Sequence, residues 1–379
     1  MLDTIILSIP QDKFTIINYE AFNPSARGLY ESPFYKLGSR GHFECFLNPT
    51  KKEKLNHEYM PRLTLSKRSG TGGFSIALKI ELSLPKLLFG NNFQELDDED
   101  FDKIIKKLHT CLLNRGIGIT LDNIRSATVT GIHYGKNVIV TDYTTSALVI
   151  KTIEKLGITK RLDTGHTDFR NEGQAIRFHT NHYELSFYDK VKDLEQAKIS
   201  EKRAIETDNY IQYDLFNCIR KQKIRPEILR MECRINNRRN IKKTLNENGI
   251  FNNPMTFESL YSKHIARTLL CFFWQKNIEP SLNIIVLSRQ SADAIYTKMR
   301  LAGIKEMDAI KCIGGLLMIK ELGIRGFKQL LSPKSNTYTR LNKMISNATF
   351  DKYFMSDVFD KIRKDVFDCI SIRTEFKNL

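Results

Sequence analysis

Residues 174–190 read QAIRFHTNHYELSFYDK. Two short runs of strand-forming residues flank Thr180-Asn181, a dipeptide with turn chemistry, which predicts a tight β-hairpin. That register sets Phe178 opposite Tyr183, Arg177 opposite Glu184 and Ile176 opposite Leu185. Successive strand side chains point to opposite faces. One face then carries Ile176, Phe178, Tyr183, Leu185 and Phe187, an apolar set for packing on a core. The other carries Arg177, His179, His182, Glu184, Ser186, Tyr188 and Lys190. A phenol at a strand end, among acids and imidazoles and two residues before a lysine, suits phosphoryl transfer.

The flanking sequence supplies more strands. Residues 2–9 read as a strand in which Asp3 and Thr4 break an apolar run ended by Pro10. Arg62–Lys67 leads into Gly70-Thr71-Gly72-Gly73. Ile76, Leu78, Ile80, Leu82 and Leu84 then alternate with Ser75, Ala77, Lys79, Glu81 and Ser83. No Gly-Lys-Ser/Thr follows the glycines, so a hairpin turn is preferred there over a phosphate loop. Residues 97–115 read as a helix with acids in its first turn, an apolar stripe through Phe101, Ile104, Ile105, Leu108 and Leu112, and Gly116 as its stop. A strand segment within 117–134 is expected to turn at Gly135-Lys136-Asn137 into Val138–Val140. Thr144 or Thr145 caps a helix ending at Gly157, and a polar helix is expected over 191–216. Beyond Arg225-Pro226, Leu229, Met231, Cys233 and Ile235 alternate with Arg230, Glu232 and Arg234. From residue 240 the pattern is helical: 241–248, 257–275, 288–301, 305–313, 316–322 and shorter pieces to the end. The sole tryptophan, Trp274, lies in the apolar segment LLCFFW and reads as core. The fold class is α+β. A largely antiparallel sheet with helices on one face occupies 1–245, and an all-helical domain occupies 246–379.

Composition narrows the partners. Lys and Arg number 59 against 43 acids, a net charge of +16, which favours a polyanion such as nucleic acid. A merely basic surface is the plain alternative. No apolar run approaches the roughly 20 residues of a membrane span, and MLDTIILSIP has the look of a strand, not a signal peptide. Seven scattered cysteines without a CxxC pair suit reduced thiols in a cytosol.

Nicking DNA with a tyrosine needs a nucleophilic phenol, a divalent metal on the scissile phosphate and a cation to offset developing charge. Tyr188, His133 with Glu232, and Lys190 supply these roles. Glu184, His179, His182 and Arg230 stand by as supporting groups. A phenol of ordinary pKa near 10 requires activation. Taken singly, a strand-end tyrosine is an ordinary interfacial aromatic, and a lone His or Glu an ordinary surface residue. The HTNH at 179–182 lacks the His-hydrophobe-His spacing of one class of nicking site, and no such tripeptide occurs in the chain.

Taken in order, MLDTIILSIP, LSLPKLLFGNN at 82–92, IHYGKN at 132–137, FYDK at 187–190 and LRMECRI at 229–235 resemble the gene II/X family of phage and plasmid rolling-circle replication initiators. The resemblance covers about residues 1–240. It implies that Tyr188 is the nucleophile, that Lys190 accompanies it and that Glu232 is a metal ligand. Relatives commonly carry Arg-x-Asp where this chain has Gly131-Ile132-His133, so His133 stands in for an acid as a ligand of Mg²⁺ or Mn²⁺, cations that prefer oxygen. An initiator of this kind works in the cytoplasm of a bacterial host on a double-stranded origin and a single-stranded nick site, with host polymerase and helicase. A non-catalytic origin-binding protein derived from the same family is the alternative.

Two segments are candidates for tracking phosphates. Residues 220–243 hold ten basic residues, among them Arg220, Lys221, Lys223, Arg234, Arg238 and Arg239, against two acids. Residues 298–343 hold ten against three. Gly314-Gly315 lets the second contain a helix-turn-helix, with a plain helical bundle as the preferred reading.

Overall fold

The computed structural model describes residues 1–31, 42–50, 53, 59–70, 73–141, 143–157, 168–170, 175–193, 227–250, 254–332, 334–348 and 357–370. Nearly all of the polar helix expected over 191–216, with Arg220, Lys221 and Lys223, lies outside these residues.

The described strands are β1 (Leu2–Pro10), β2 (Phe14–Ile16), β3 (His42–Leu47), β4 (Arg62–Gly70), β5 (Gly73–Ser83), β6 (Ile117–Ile119), β7 (Thr128–Ile139), β8 (Asp168–Arg170), β9 (Ala175–His179), β10 (Glu184–Asp189) and β11 (Ile228–Asn236). Nine of them form one sheet in the order β3-β4-β5-β1-β7-β11-β10-β9-β8, while β2 and β6 pair separately. Every pairing is antiparallel. The α+β expectation therefore holds, with a helical region following the sheet.

Alternation explains why the strands stack this way. Leu229, Met231, Cys233 and Ile235 of β11 are fully buried, as are Ile132, Tyr134 and Val138 of β7 and Leu185 and Phe187 of β10. Each such side chain contributes about 1.5–3 kcal/mol by leaving water. Helices Arg238–Glu247, Lys263–Asn277 and Asp357–Asp368 pack against these central strands. Trp274 is buried there, as expected, and Tyr134 donates its hydroxyl to the Leu260 carbonyl at 3.3 Å.

The N-terminal half follows its punctuation. Gly70 and Gly73 pair at the ends of β4 and β5. The helix Phe101–Asn114 is preceded by a capping box between Asp97 and Asp100, and Gly116 takes a left-handed φ of 75° after it. Thr145 caps Ser146–Lys155 by accepting from the Leu148 N–H.

Two expectations for the sheet need correction. The hairpin of β9 and β10 pairs His179 with Glu184 and Phe178 with Leu185, leaving Thr180–Tyr183 as a four-residue loop. The Thr180 hydroxyl accepts from the N–H groups of His182 and Tyr183, which stabilises that wider loop. Gly135-Lys136-Asn137 is no turn, because β7 runs straight through it and pairs it with Arg230–Glu232. Lys136 and Asn137 are held extended by Glu95 and Phe93: the ammonium lies 3.1 Å from Glu95 Oε2, and the Asn137 amide donates to Phe93 O at 2.9 Å.

The helical half is also divided differently. Ser262 caps a new helix, so 257–275 splits into Phe257–Leu260 and Lys263–Asn277; the helix expected over 288–301 starts later, as Ala292–Leu301 behind a Ser291 cap, and Glu279–Ser288 is a helix that was not expected. Conversely, Gly314-Gly315 sits inside one helix, Glu306–Leu330, which removes the helix-turn-helix candidate there. The break in that helix is at Gly323, with φ 73° and ψ 169°, where a Cβ would come within 3.0 Å of the Lys155 carbonyl. Among the described residues no helix is long and apolar enough to cross a membrane.

Lys136 is a fully buried cation on the apolar side of the sheet. Lys136→Met removes the ammonium that lies 3.1 Å from the buried Glu95 carboxylate, and a loss of about 3–5 kcal/mol is expected in urea unfolding. A loss under about 1 kcal/mol would contradict the pairing.

Candidate active site

The polar face of the sheet is assembled by register. β11 sets Arg230, Glu232 and Arg234 beside Asn137, Gly135 and His133 of β7 on one side. On the other side they stand beside Tyr188, Ser186 and Glu184 of β10. These side chains share one face because their strands are neighbours and alternate in phase. Thr4 of β1 lies opposite His133, and a bulge between Leu2 and Thr4 lets Asp3 enter the same face.

Glu232 is the centre of this face. Its carboxylate is 3% exposed and accepts from Tyr188 Oη at 3.0 Å and from Arg234 Nε at 2.8 Å. Arg230 Nε lies 3.5 Å away and His133 Nδ1 3.8 Å away. Arg230 is itself buried: its Nη2 reaches Asp3 at 2.8 Å and its Nη1 donates to Asn137 Oδ1 at 3.1 Å. Gly135 makes the room, since a Cβ there would sit 2.6 Å from Arg230 Nη2.

Tyr188 is half-buried at the same place. Lys190, two residues on, is buried, donates to Asn92 Oδ1 at 2.9 Å and sits 5.7 Å from the centre of the Tyr188 ring. Toward the other end of the face, Glu184 joins Arg234 at 3.2 Å, His179 at 3.2 Å and Arg177 at 3.7 Å. Side-chain exposure rises from 3% at Arg230 to 23% at Arg234 and 34% at His179, so the face opens in that direction.

Electrostatics follows from burial. Desolvation resists ionisation of Glu232, but Arg234, Arg230 and His133 outweigh it and hold the carboxyl well below its usual range. Desolvation, and then the Glu232 charge, push the Tyr188 phenol well above 10. The resting tyrosine is therefore a neutral donor to an ionised carboxylate. Desolvation lowers His133, with Glu232 opposing it, and lowers Lys190 to about 8.

Of the residues expected from sequence, Tyr188, Lys190, His133, Glu232, Arg230, Glu184 and His179 come together here. His182 does not: its Nδ1 lies 3.1 Å from Asn240 Oδ1 beside the hairpin loop. Tyr183, which the expected register placed in a strand, donates its hydroxyl to Asn277 instead. Arg238 and Arg239 are exposed in the first turn of the helix after β11, and Arg234 belongs to the polar cluster itself. Asp3, Asn92, Gly135 and Asn137 were missed as site residues. Asp3 carried a signal, a charge inside an apolar strand. Asn92, Gly135 and Asn137 lie in segments that carry the resemblance but show no local sign of a site role, because each serves a partner distant in sequence.

His133 and Glu232 are the two donors expected to hold Mg²⁺ or Mn²⁺. Among the described residues no group of three or more His, Cys, Asp or Glu stands together to hold a metal. Both Glu232 oxygens are already engaged, and two guanidinium groups flank them. Hard cations seek near-octahedral oxygen ligation, and a dication beside two guanidinium groups is repelled. The residues present do not fit a resident divalent ion. No protein-family model matches the chain, and neither curated proteins nor solved structures give a match.

Lys190 has a folded pKa near 8 against 10.5 when exposed, so the unfolded chain binds its proton more tightly. Burial of the ammonium thus costs stability below about pH 8, and the cost fades as pH rises toward 10.5. Lys190→Met is expected to gain stability over the parent at pH 7, with the gain shrinking by about 2–3 kcal/mol as pH approaches the unfolded pKa. A gain independent of pH in paired urea melts would refute the buried ammonium. Gly135→Ala is expected to displace Arg230 and cost about 1–3 kcal/mol by the same melts; a neutral effect would contradict the close approach.

Proposed function

We propose that the chain is a rolling-circle replication initiator that nicks one DNA strand through Tyr188 and later rejoins it, as the gene II/X resemblance implies. The observation that carries this reading is the Tyr188 hydroxyl, 3.0 Å from the Glu232 carboxylate on a polar sheet face that opens to solvent beside two guanidinium groups.

Each part has a chemical use. Oη attacks the phosphorus of a diester, the bond from phosphorus to the 3′ oxygen breaks, and Glu232 Oε2 is placed to accept the phenol proton. Arg230, Arg234 and the Lys190 ammonium offset the charge that develops on the phosphoryl oxygens. The products are a 5′-phosphotyrosyl adduct and a free 3′-hydroxyl from which a host polymerase extends. The adduct keeps the energy of the diester, so attack by a later 3′-hydroxyl reverses the step and circularises the displaced strand.

The net charge of +16 supports a DNA partner, bound as a double-stranded origin and then as a single-stranded nick site opened with a host helicase. Arg238 and Arg239 are exposed where the strand carrying Glu232 ends and are candidates for phosphate contacts outside the cluster. The bacterial cytoplasm is the compartment this reading requires.

The test is nicking of a supercoiled plasmid carrying the replicon that encodes the chain. Tyr188→Phe is expected to lower the nicking rate by about 10³-fold or more while leaving DNA affinity within about twofold. An undiminished rate in that variant would falsify the assignment. Tight, salt-sensitive binding with no nicking by the parent protein would favour the non-catalytic origin-binding alternative.

A further inference from the structure

The carboxylate expected to hold a metal is instead enclosed by arginines, and this arrangement has a chemical use of its own. Arg234 Nε and Arg230 Nε approach the two oxygens of Glu232 at 2.8 and 3.5 Å. The second of these is a buried N–H donor with no hydrogen-bond partner. A buried guanidinium N–H that faces a carboxylate without a hydrogen bond to it is a position that an incoming anion satisfies. Tyr188 Oη touches the same carboxylate, so an anion seated on the two guanidinium groups lies beside the phenol oxygen.

We infer that Arg230 and Arg234 receive the scissile phosphate themselves, in exchange for Glu232, so that strand transfer to Tyr188 proceeds without a divalent metal. This rests on the tyrosine-nickase reading. Guanidinium forks match phosphate oxygens in pairs and are less strongly hydrated than a metal ion, so the exchange replaces one charge-assisted contact by another. Arg234 is 23% exposed and is met first from the open end of the face; Arg230 is anchored on Asp3 and Asn137 and keeps its place.

The exchange also activates the nucleophile. Arg234 Nε, 2.8 Å from Glu232 Oε1, turns to the phosphate, and Glu232 Oε2, 3.0 Å from the Tyr188 hydroxyl, is left free to take the phenol proton. As the bond from Oη to phosphorus forms and the bond to the 3′ oxygen breaks, the proton passes to Glu232 and on to the departing 3′ oxygen. Atoms and charge balance with no further reactant.

The experiment uses the full chain, stripped with EDTA, and a 3′-labelled single-stranded DNA pool of random sequence. A 5′-phosphotyrosyl adduct retains that label and is seen as a shifted band on a denaturing gel. The adduct is expected in EDTA at a rate within about threefold of that in Mg²⁺ or Mn²⁺. Arg234→Lys, which keeps the charge but not the fork, is expected to lower the rate by about 10²-fold; circular dichroism checks that it folds. Adduct that requires Mg²⁺ or Mn²⁺ overturns the inference and leaves the nickase reading standing, as does an Arg234→Lys variant at full rate. No adduct in any condition overturns both. A second readout needs no DNA: Mn²⁺ titrated into the stripped protein, followed by electron paramagnetic resonance, is expected to show no binding that Glu232→Gln removes. A Mn²⁺ site lost in that variant overturns the inference.

Discussion

An ionised carboxylate inside a sheet survives only if charge and hydrogen bonds replace the water it has lost. Glu232 meets that condition through Arg234, Arg230, His133 and the Tyr188 hydroxyl, and much of the surrounding sequence follows from it. Arg230 must in turn be paired, which calls for Asp3 and Asn137. It must also have room, which calls for a residue without a side chain at position 135. A requirement at one residue thus fixes the chemistry of four others on three strands.

The sheet makes the arrangement possible. Asp3, His133, Tyr188 and Glu232 lie far apart in the chain, and only the spatial order β1-β7-β11-β10 makes them neighbours. The opposite face of the same strands is packed with Ile132, Tyr134, Leu185, Phe187, Met231 and Cys233, all essentially without solvent contact. Strand residues anchored by a dense core hold their side chains more closely than loop residues do, which suits chemistry that depends on tenths of an ångström. The exposure gradient from Arg230 to His179 then gives this rigid face one open end.

Alternation made much of this legible in the sequence. The hairpin register was misjudged at Thr180-Asn181, yet the face of every strand residue survived. The paired positions moved by one residue on each strand, and a shift of two in their sum leaves the in–out phase unchanged. Phe178 and Leu185 remain inside and Tyr188 and Glu184 outside for that reason. Gly135-Lys136-Asn137 misled because its composition is that of a turn, while its structural role is set by Arg230 and Glu95, contacts no local pattern encodes. Gly314-Gly315 misled in the same way: Gly315 is small because the Leu341 side chain would lie 2.5 Å from a Cβ, within an unbroken stretch of helix. Helix boundaries at Ser262 and Ser291 depend on single side-chain caps, in SLYSKH and SRQSAD, that periodicity does not single out.

The central claim is that the phenol at 188, held against Glu232, is the atom that takes hold of DNA. The most direct measurement is mass spectrometry of the chain after incubation with single-stranded DNA that spans its coding region and flanks, followed by nuclease and protease digestion. The account predicts one peptide carrying a nucleotide through a phosphodiester to Tyr188. A nucleotide on any other residue, or none on the peptide that contains Tyr188 when that peptide is fully recovered, would contradict it.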